Sequence, residues 1–155
     1  MISSTTSQEV QQWMSRDVQT ANEIDSIQYA LTRMADEKIS ALPVIDDQDH
    51  LLGIVTVGDV ARRVLVTERL LETEYPHYED CFWAVDLIQK NLGSDQVTAL
   101  MSEVLTTISP EQTMAAAAKV MKNNHVRHLP VVTSHGKLVG MLSANDFVRL
   151  AAKAA

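Results

Sequence analysis

The chain holds a single cysteine, Cys81, among its 155 residues. An internal disulfide and a cysteine-rich zinc cage are therefore excluded, and the composition fits a reducing compartment. Positive charge is also short: Lys and Arg number 13 against 20 Asp and Glu, a net charge of −7. Attraction to nucleic acid or to an anionic membrane surface needs clustered cations, so neither partner is expected. No apolar run approaches the roughly 20 residues that a membrane helix requires. The opening Met1-Ile2-Ser3-Ser4-Thr5-Thr6 lacks the basic start and apolar stretch of a secretory signal. A cytoplasmic location is the expectation. What is present, 46% apolar and 21% charged residues, can fill the core of one domain or of two small repeats.

The chain repeats itself. At an offset of 87, residues 10–62 align with 97–149 without a gap, and 13 of the 53 positions are identical. The matches include Met14/Met101, Pro43/Pro130, Gly53/Gly140, Asp59/Asp146 and Arg62/Arg149, so the similarity is more than apolar patterning. Each copy reads β-α-β-β-α. A short extended piece (18–21; 105–108) leads to a helix whose first copy places Ile24, Ile27, Leu31 and Met34 on one face. The second copy of that helix is expected to start after Ser109-Pro110, a cap residue followed by a first-turn proline. Two strands follow (41–45 and 51–55; their counterparts end at Leu142), joined by polar turns. A closing helix begins at about Gly58 or Asn145. We divide the chain into a tail (1–9), repeat one (10–65), a helical insert (66–96), repeat two (97–151) and a tail (152–155). In the insert, Glu79–Asn91 reads as a helix, with Cys81 on its apolar face as a core thiol.

Each repeat ends in Gly-apolar-apolar-Thr/Ser-x-x-Asp, at Gly53–Asp59 and Gly140–Asp146. Thr or Ser with an acid three residues on is also a helix capping pattern. The same geometry suits a ligand: a helix N-terminus offers unpaired N–H groups and partial positive charge to a phosphate, and a carboxylate accepts from a sugar diol.

With these motifs in place, the sequence resembles a tandem pair of CBS domains, the Bateman module. The residues that carry the resemblance are LPVIDDQDHLLGIVTVGDV from Leu42 and RHLPVVTSHGKLVGMLSANDF from Arg127, each preceded by a Met-Ser segment. It implies an α/β fold of two repeats about a pseudo-twofold axis, with adenosine-containing ligands in the cleft between them. Asp59 and Asp146 would then take the ribose hydroxyls, and Thr56 and Ser143 would sit near the α-phosphate. Thr20 with Ala21, and Thr107 with Ile108, would present backbone to the adenine edge. The stretches Ile39-Ser40-Ala41-Leu42-Pro43 and Val126-Arg127-His128-Leu129-Pro130 would wall the base. Arg127-His128 stands where the first copy has Ser40-Ala41, so the two pockets should differ toward phosphate.

His125, His128 and His135 have no carboxylate at ligand spacing, so no metal site is expected. No Ser-His-Asp order, Cys-His pairing within one repeat or Walker loop appears, so neither catalytic residues nor a cofactor are expected. The leading expectation is a regulatory module that senses AMP, ADP or ATP and signals to an unidentified effector chain. Binding of S-adenosylmethionine or NAD, and a dimerisation module with degenerate pockets, are the alternatives. A homodimer is expected, joined through the apolar faces of Ile24, Ile27, Leu31 and Met34 and of Met114, Ala117 and Met121.

Overall fold

The computed structural model describes residues 7–63, 95–103 and 106–154. Nearly all of the expected insert, including Cys81 and the 79–91 helix, lies outside them. The fold divides into two compact units. One comprises Gln19–Asp46 and Leu52–Glu103; the other comprises Met1–Val18, Asp47–Leu51 and Val104–Ala155. The division does not follow the repeats. The lead-in segment of each repeat, with its Met-Ser pair, belongs to the unit built on the other repeat's strands.

In the first unit, strands β1 (Ala21–Asn22), β2 (Ala41–Ile45), β3 (Leu51–Thr56) and β4 (Ser102–Glu103) form one sheet in that order. β1 runs parallel to β2, with Ala21 opposite Val44, and β4 runs antiparallel to β3, with Gly53 opposite Glu103. Gly53 is needed there: a Cβ on it would lie 2.7 Å from the Ser102 carbonyl oxygen. Helix α1 (Ile27–Glu37) is capped by Ser26, whose hydroxyl accepts from the Tyr29 N–H at 3.1 Å. It ends at Lys38 in the left-handed region, φ 54°. The following Ile39 N–H reaches back to the Met34 carbonyl at 3.0 Å, closing the end. Helix α2 spans 57–63. The core gathers Ala30, Met34, Leu42, Val44, Val55 and Val97.

The second unit follows the same plan with single bridges in place of the two short outer strands. Its strands β5 (His128–Val132) and β6 (Leu138–Ser143) are antiparallel. Ile108 bridges Val131 in parallel and Ser15 bridges Met141 antiparallel, at the register of β1 and β4. Helix α3 (Met114–Asn124) is capped by Thr113 and ends at His125, again at φ 54°. Helix α4 (Ala144–Ala154) closes the chain's described part. Pro130 is tolerated inside a sheet for a local reason. Its carbonyl accepts from Ile108 at 3.0 Å and the next bond on that edge comes from the Val132 N–H, so the absent Pro130 N–H falls before pairing begins.

The lead-in segments dock in the same way in both units. Val10 N–H donates to the Gln112 carbonyl and Met114 N–H to the Gln8 carbonyl, each at 2.8 Å. At the equivalent positions Val97 donates to Asp25 and Ile27 to Asp95, at 2.8 and 2.9 Å.

Four expectations are corrected. The first strand of each repeat is shorter and later than read: Ala21–Asn22 in one copy and a single bridge at Ile108 in the other. Helix α3 starts at Met114 rather than after Ser109-Pro110, because the Pro110 and Gln112 carbonyls accept from Gln11 and Val10 and hold that stretch as a turn. Ile24 is 70% exposed, because its N–H bonds the Asn22 side chain in a turn ahead of α1. The helix faces expected to meet a second copy are largely covered in the single chain: Ile27 and Met34, and Met114, Ala117 and Met121, are buried.

Candidate functional site

In both units the strand-to-helix junction is built around a buried aspartate. Asp59 is 7% exposed and Asp146 4%. Asp59 Oδ2 accepts from the Thr56 N–H at 2.8 Å and from the Thr56 hydroxyl at 3.0 Å. The Asp59 N–H donates to Thr56 Oγ1 at 3.2 Å, which completes a reciprocal cap on α2. Asp146 Oδ2 accepts from the Ser143 N–H at 2.8 Å and from its hydroxyl at 3.4 Å. The second oxygen of each carboxylate takes an arginine one turn on: Arg62 bonds Asp59 Oδ1, and Arg149 Nη1 bonds Asp146 Oδ1 at 3.0 Å. Both arginines recur at the repeat offset, but nothing local in the sequence marks them as site residues. Their side chains are 71% and 59% exposed, so each Oδ1 is covered by a cation that itself lies mostly in solvent.

The residues ahead of each buried strand reach the same junction. The Ser40 carbonyl accepts from the Val57 N–H at 3.0 Å and the Arg127 carbonyl from the Ala144 N–H at 3.1 Å. Ser40-Ala41 and Arg127-His128 are thereby held beside the helix starts, and His128 lies opposite Ser143 in the sheet. With the first helical N–H taken by a strand carbonyl, the next, on Gly58 or Asn145, is the position left to an anion. Burial, and then the neighbouring Arg127 guanidinium, lower the His128 pKa below the ordinary histidine value. Ile39 and Val126 are half-buried, and Ala41, Pro43 and Pro130 are buried in the strands they were assigned to.

Thr20-Ala21 and Thr107-Ile108 sit farther away. Ala21 pairs with Val44 and Ile108 with Val131, across the buried strand from the aspartate. Two strand spacings of about 4.8 Å and three to four residues of about 3.3 Å rise separate them from the helix start, so only an elongated ligand reaches both. Ala21 and Ile108 are buried, leaving backbone and Thr side chains to meet it. Among the described residues no group of three His, Cys, Asp or Glu is placed to hold a metal. No helix there is long and apolar enough to cross a membrane.

Duplicated sheets, each leading through a Thr or Ser into a helix with a buried acid at its start, define a class, and the chain belongs to it: the family model "CBS domain" matches residues 9–66 and 97–153. A CBS domain-containing protein of Dictyostelium discoideum is 30% identical over 144 residues, 93% of this chain and 91% of its own length. The chloroplastic CBS domain-containing protein CBSX1 of Arabidopsis thaliana is 26% identical over 87% of this chain, which spans only 59% of that relative. Among solved structures, CBSX2 in complex with AMP has a TM-score of 0.73 at 24% identity, covering 94% of this chain and 97% of its own. The CBS domain pair of protein MJ0100, in complex with 5′-methylthioadenosine and S-adenosyl-L-methionine, has a TM-score of 0.73 at 20% identity over 96% and 98%.

Proposed function

We propose that this chain is a non-catalytic regulatory module that binds adenosine nucleotides of the AMP, ADP and ATP class and passes the change to a partner chain. The observation that carries the reading is the pair of buried aspartates, each with one carboxylate oxygen committed to a helix cap and the other held only by an exposed arginine. A ribose diol can displace that arginine and donate to Oδ1. The adjoining helix start supplies the positive end of a dipole for the phosphate. The AMP complex of CBSX2 and the adenosine-based ligands of MJ0100 support adenosine as the shared element. The test is calorimetry with AMP, ADP, ATP and S-adenosylmethionine against GMP. Saturable binding of adenosine ligands with GMP clearly weaker is the expected result, and equal binding of GMP overturns it.

A cytoplasmic setting is part of the proposal and fits the single cysteine. So is a homodimer, through a surface other than the helix faces first expected. Val57 at the start of α2 and Val148 on α4 are 51% and 64% exposed, and supply apolar surface that a second copy would cover. A light-scattering mass of two chains is expected; a mass of 17 kDa at micromolar concentration removes the dimer.

A further inference from the structure

A cavity of about 550 Å³ opens beside the lead-in segment of the second unit, lined by Gln8, Gln12, Trp13, Arg149 and Lys153. That volume falls within the roughly 300–1,000 Å³ of small-molecule sites. Its chemistry is one-sided. The Arg149 guanidinium lies 5.8 Å and the Lys153 ammonium 5.5 Å from the centroid of the Trp13 ring, whose electron-rich face holds both cations in place. The ring is itself fixed: Trp13 is 8% exposed, and its Nε1 donates to Gln8 Oε1 at 2.5 Å. Gln12 Oε1 accepts from the Glu9 N–H at 3.1 Å. Each glutamine oxygen thus accepts an internal bond, which orients the side chain, and each amide NH2 group can donate to a ligand. No lining residue is a carboxylate; Arg149 is already paired with Asp146 Oδ1 at 3.0 Å, while among the described residues none pairs with Lys153, which is the uncompensated cation of the cavity. In a chain of net charge −7, two cations and two amide donors converge on one cavity.

The cavity is not a by-product of the duplication. At the repeat offset Trp13 corresponds to Leu100, Gln12 to Ala99 and Lys153 to Val66, so the aromatic and the second cation belong to one unit alone.

We propose that this pocket is a separate binding site for a small organic polyanion, a polycarboxylate or a polyphosphate, held by Lys153, Arg149 and the amides of Gln8 and Gln12. The inference stands apart from the nucleotide reading, since only Arg149 is common to both places. The experiment uses the full chain carrying Trp83→Phe, in which Trp13 is the sole tryptophan and lies in the pocket. Citrate and inorganic pyrophosphate are titrated separately at constant ionic strength, with sodium chloride as the control, and Trp13 fluorescence is read. A saturable response to either probe is expected, and the probe that binds identifies the anion as carboxylate or phosphate. Lys153→Gln in the same background, checked for folding by circular dichroism, should weaken that response roughly tenfold by removing one charge-assisted bond. A response to neither probe, a response matched by chloride, or one unchanged in Lys153→Gln overturns the proposal.

Discussion

Replacing Asp59 or Asp146 separates the structural role of the carboxylate from its proposed role toward ribose. In Asp59→Ala the Thr56 N–H and hydroxyl lose their acceptor inside a nearly buried cap, and Arg62 loses its partner. Loss of a cap costs about 0.5–2 kcal/mol. The arginine is mostly exposed, so its ion pair adds well under about 1 kcal/mol after solvent screening. For a chain of this size the sum corresponds to a fall in Tm of about 1–10 °C. Asp59→Asn keeps one oxygen for the Thr56 N–H and loses chiefly the exposed ion pair. Its Tm should fall by no more than about 3 °C. Ribose binding responds differently, because both variants remove the charged acceptor; AMP affinity should fall about ten- to a hundredfold in each. Thermal unfolding and calorimetry on the two variants, repeated for Asp146→Asn and Asp146→Ala, measure these quantities. Equal Tm losses for Asn and Ala would show that the cap is not what the carboxylate stabilises. Unchanged AMP affinity in both Asn variants would refute the ribose role.

Two further outcomes follow from the difference between the junctions. Arg127→Ala should weaken AMP about ten- to a hundredfold while leaving adenosine nearly unaffected, as measured by calorimetry, because one charge-assisted contact to phosphate is lost; equal losses for both ligands contradict it. His128 has a pKa below its unfolded value, first from burial and then from Arg127. Across the window from the ordinary histidine value of about 6.5 down to the folded value, the unfolded chain binds more protons. Stability should therefore drop as pH falls through that window, and His128→Ala, which installs the residue found at position 41, should flatten the dependence of Tm on pH. A steeper dependence in the variant would reverse the sign and refute it.

Much of this architecture was legible because local signals and packing agree. The buried strands at 41–45 and 128–132, the polar turns after them and the Thr56/Asp59 and Ser143/Asp146 junctions are encoded within a few residues and encoded twice. The duplication even extends to backbone conformation: Asp49 and Gly136, 87 positions apart, both adopt left-handed φ, at 66° and 78°. Long-range effects were less legible. Nothing near Ser109-Pro110 shows that its carbonyls are taken by residues 10 and 11, so the local proline rule placed the helix start too early. The assignment of each Met-Ser segment to the opposite repeat's unit is likewise a matter of distant packing, expressed locally only in Gly53 and Gly140. There a Cβ would meet the Ser102 carbonyl oxygen at 2.7 Å or the Ser15 carbonyl oxygen at 3.1 Å. Arg62 and Arg149 were visible as identities of the repeat. Their bond to the proposed ribose acceptor was not, since an i, i+3 pair on a helix is ordinarily a solvated one.

Calorimetric titration of the full chain and of the Asp59→Asn/Asp146→Asn double variant with AMP, alongside GMP, tests the central claim most directly. The account predicts saturable AMP binding by the unaltered chain, much weaker GMP binding, and loss of most AMP affinity in a double variant that still unfolds cooperatively. AMP binding that survives intact in that variant, or GMP bound as tightly as AMP by the unaltered chain, would contradict it.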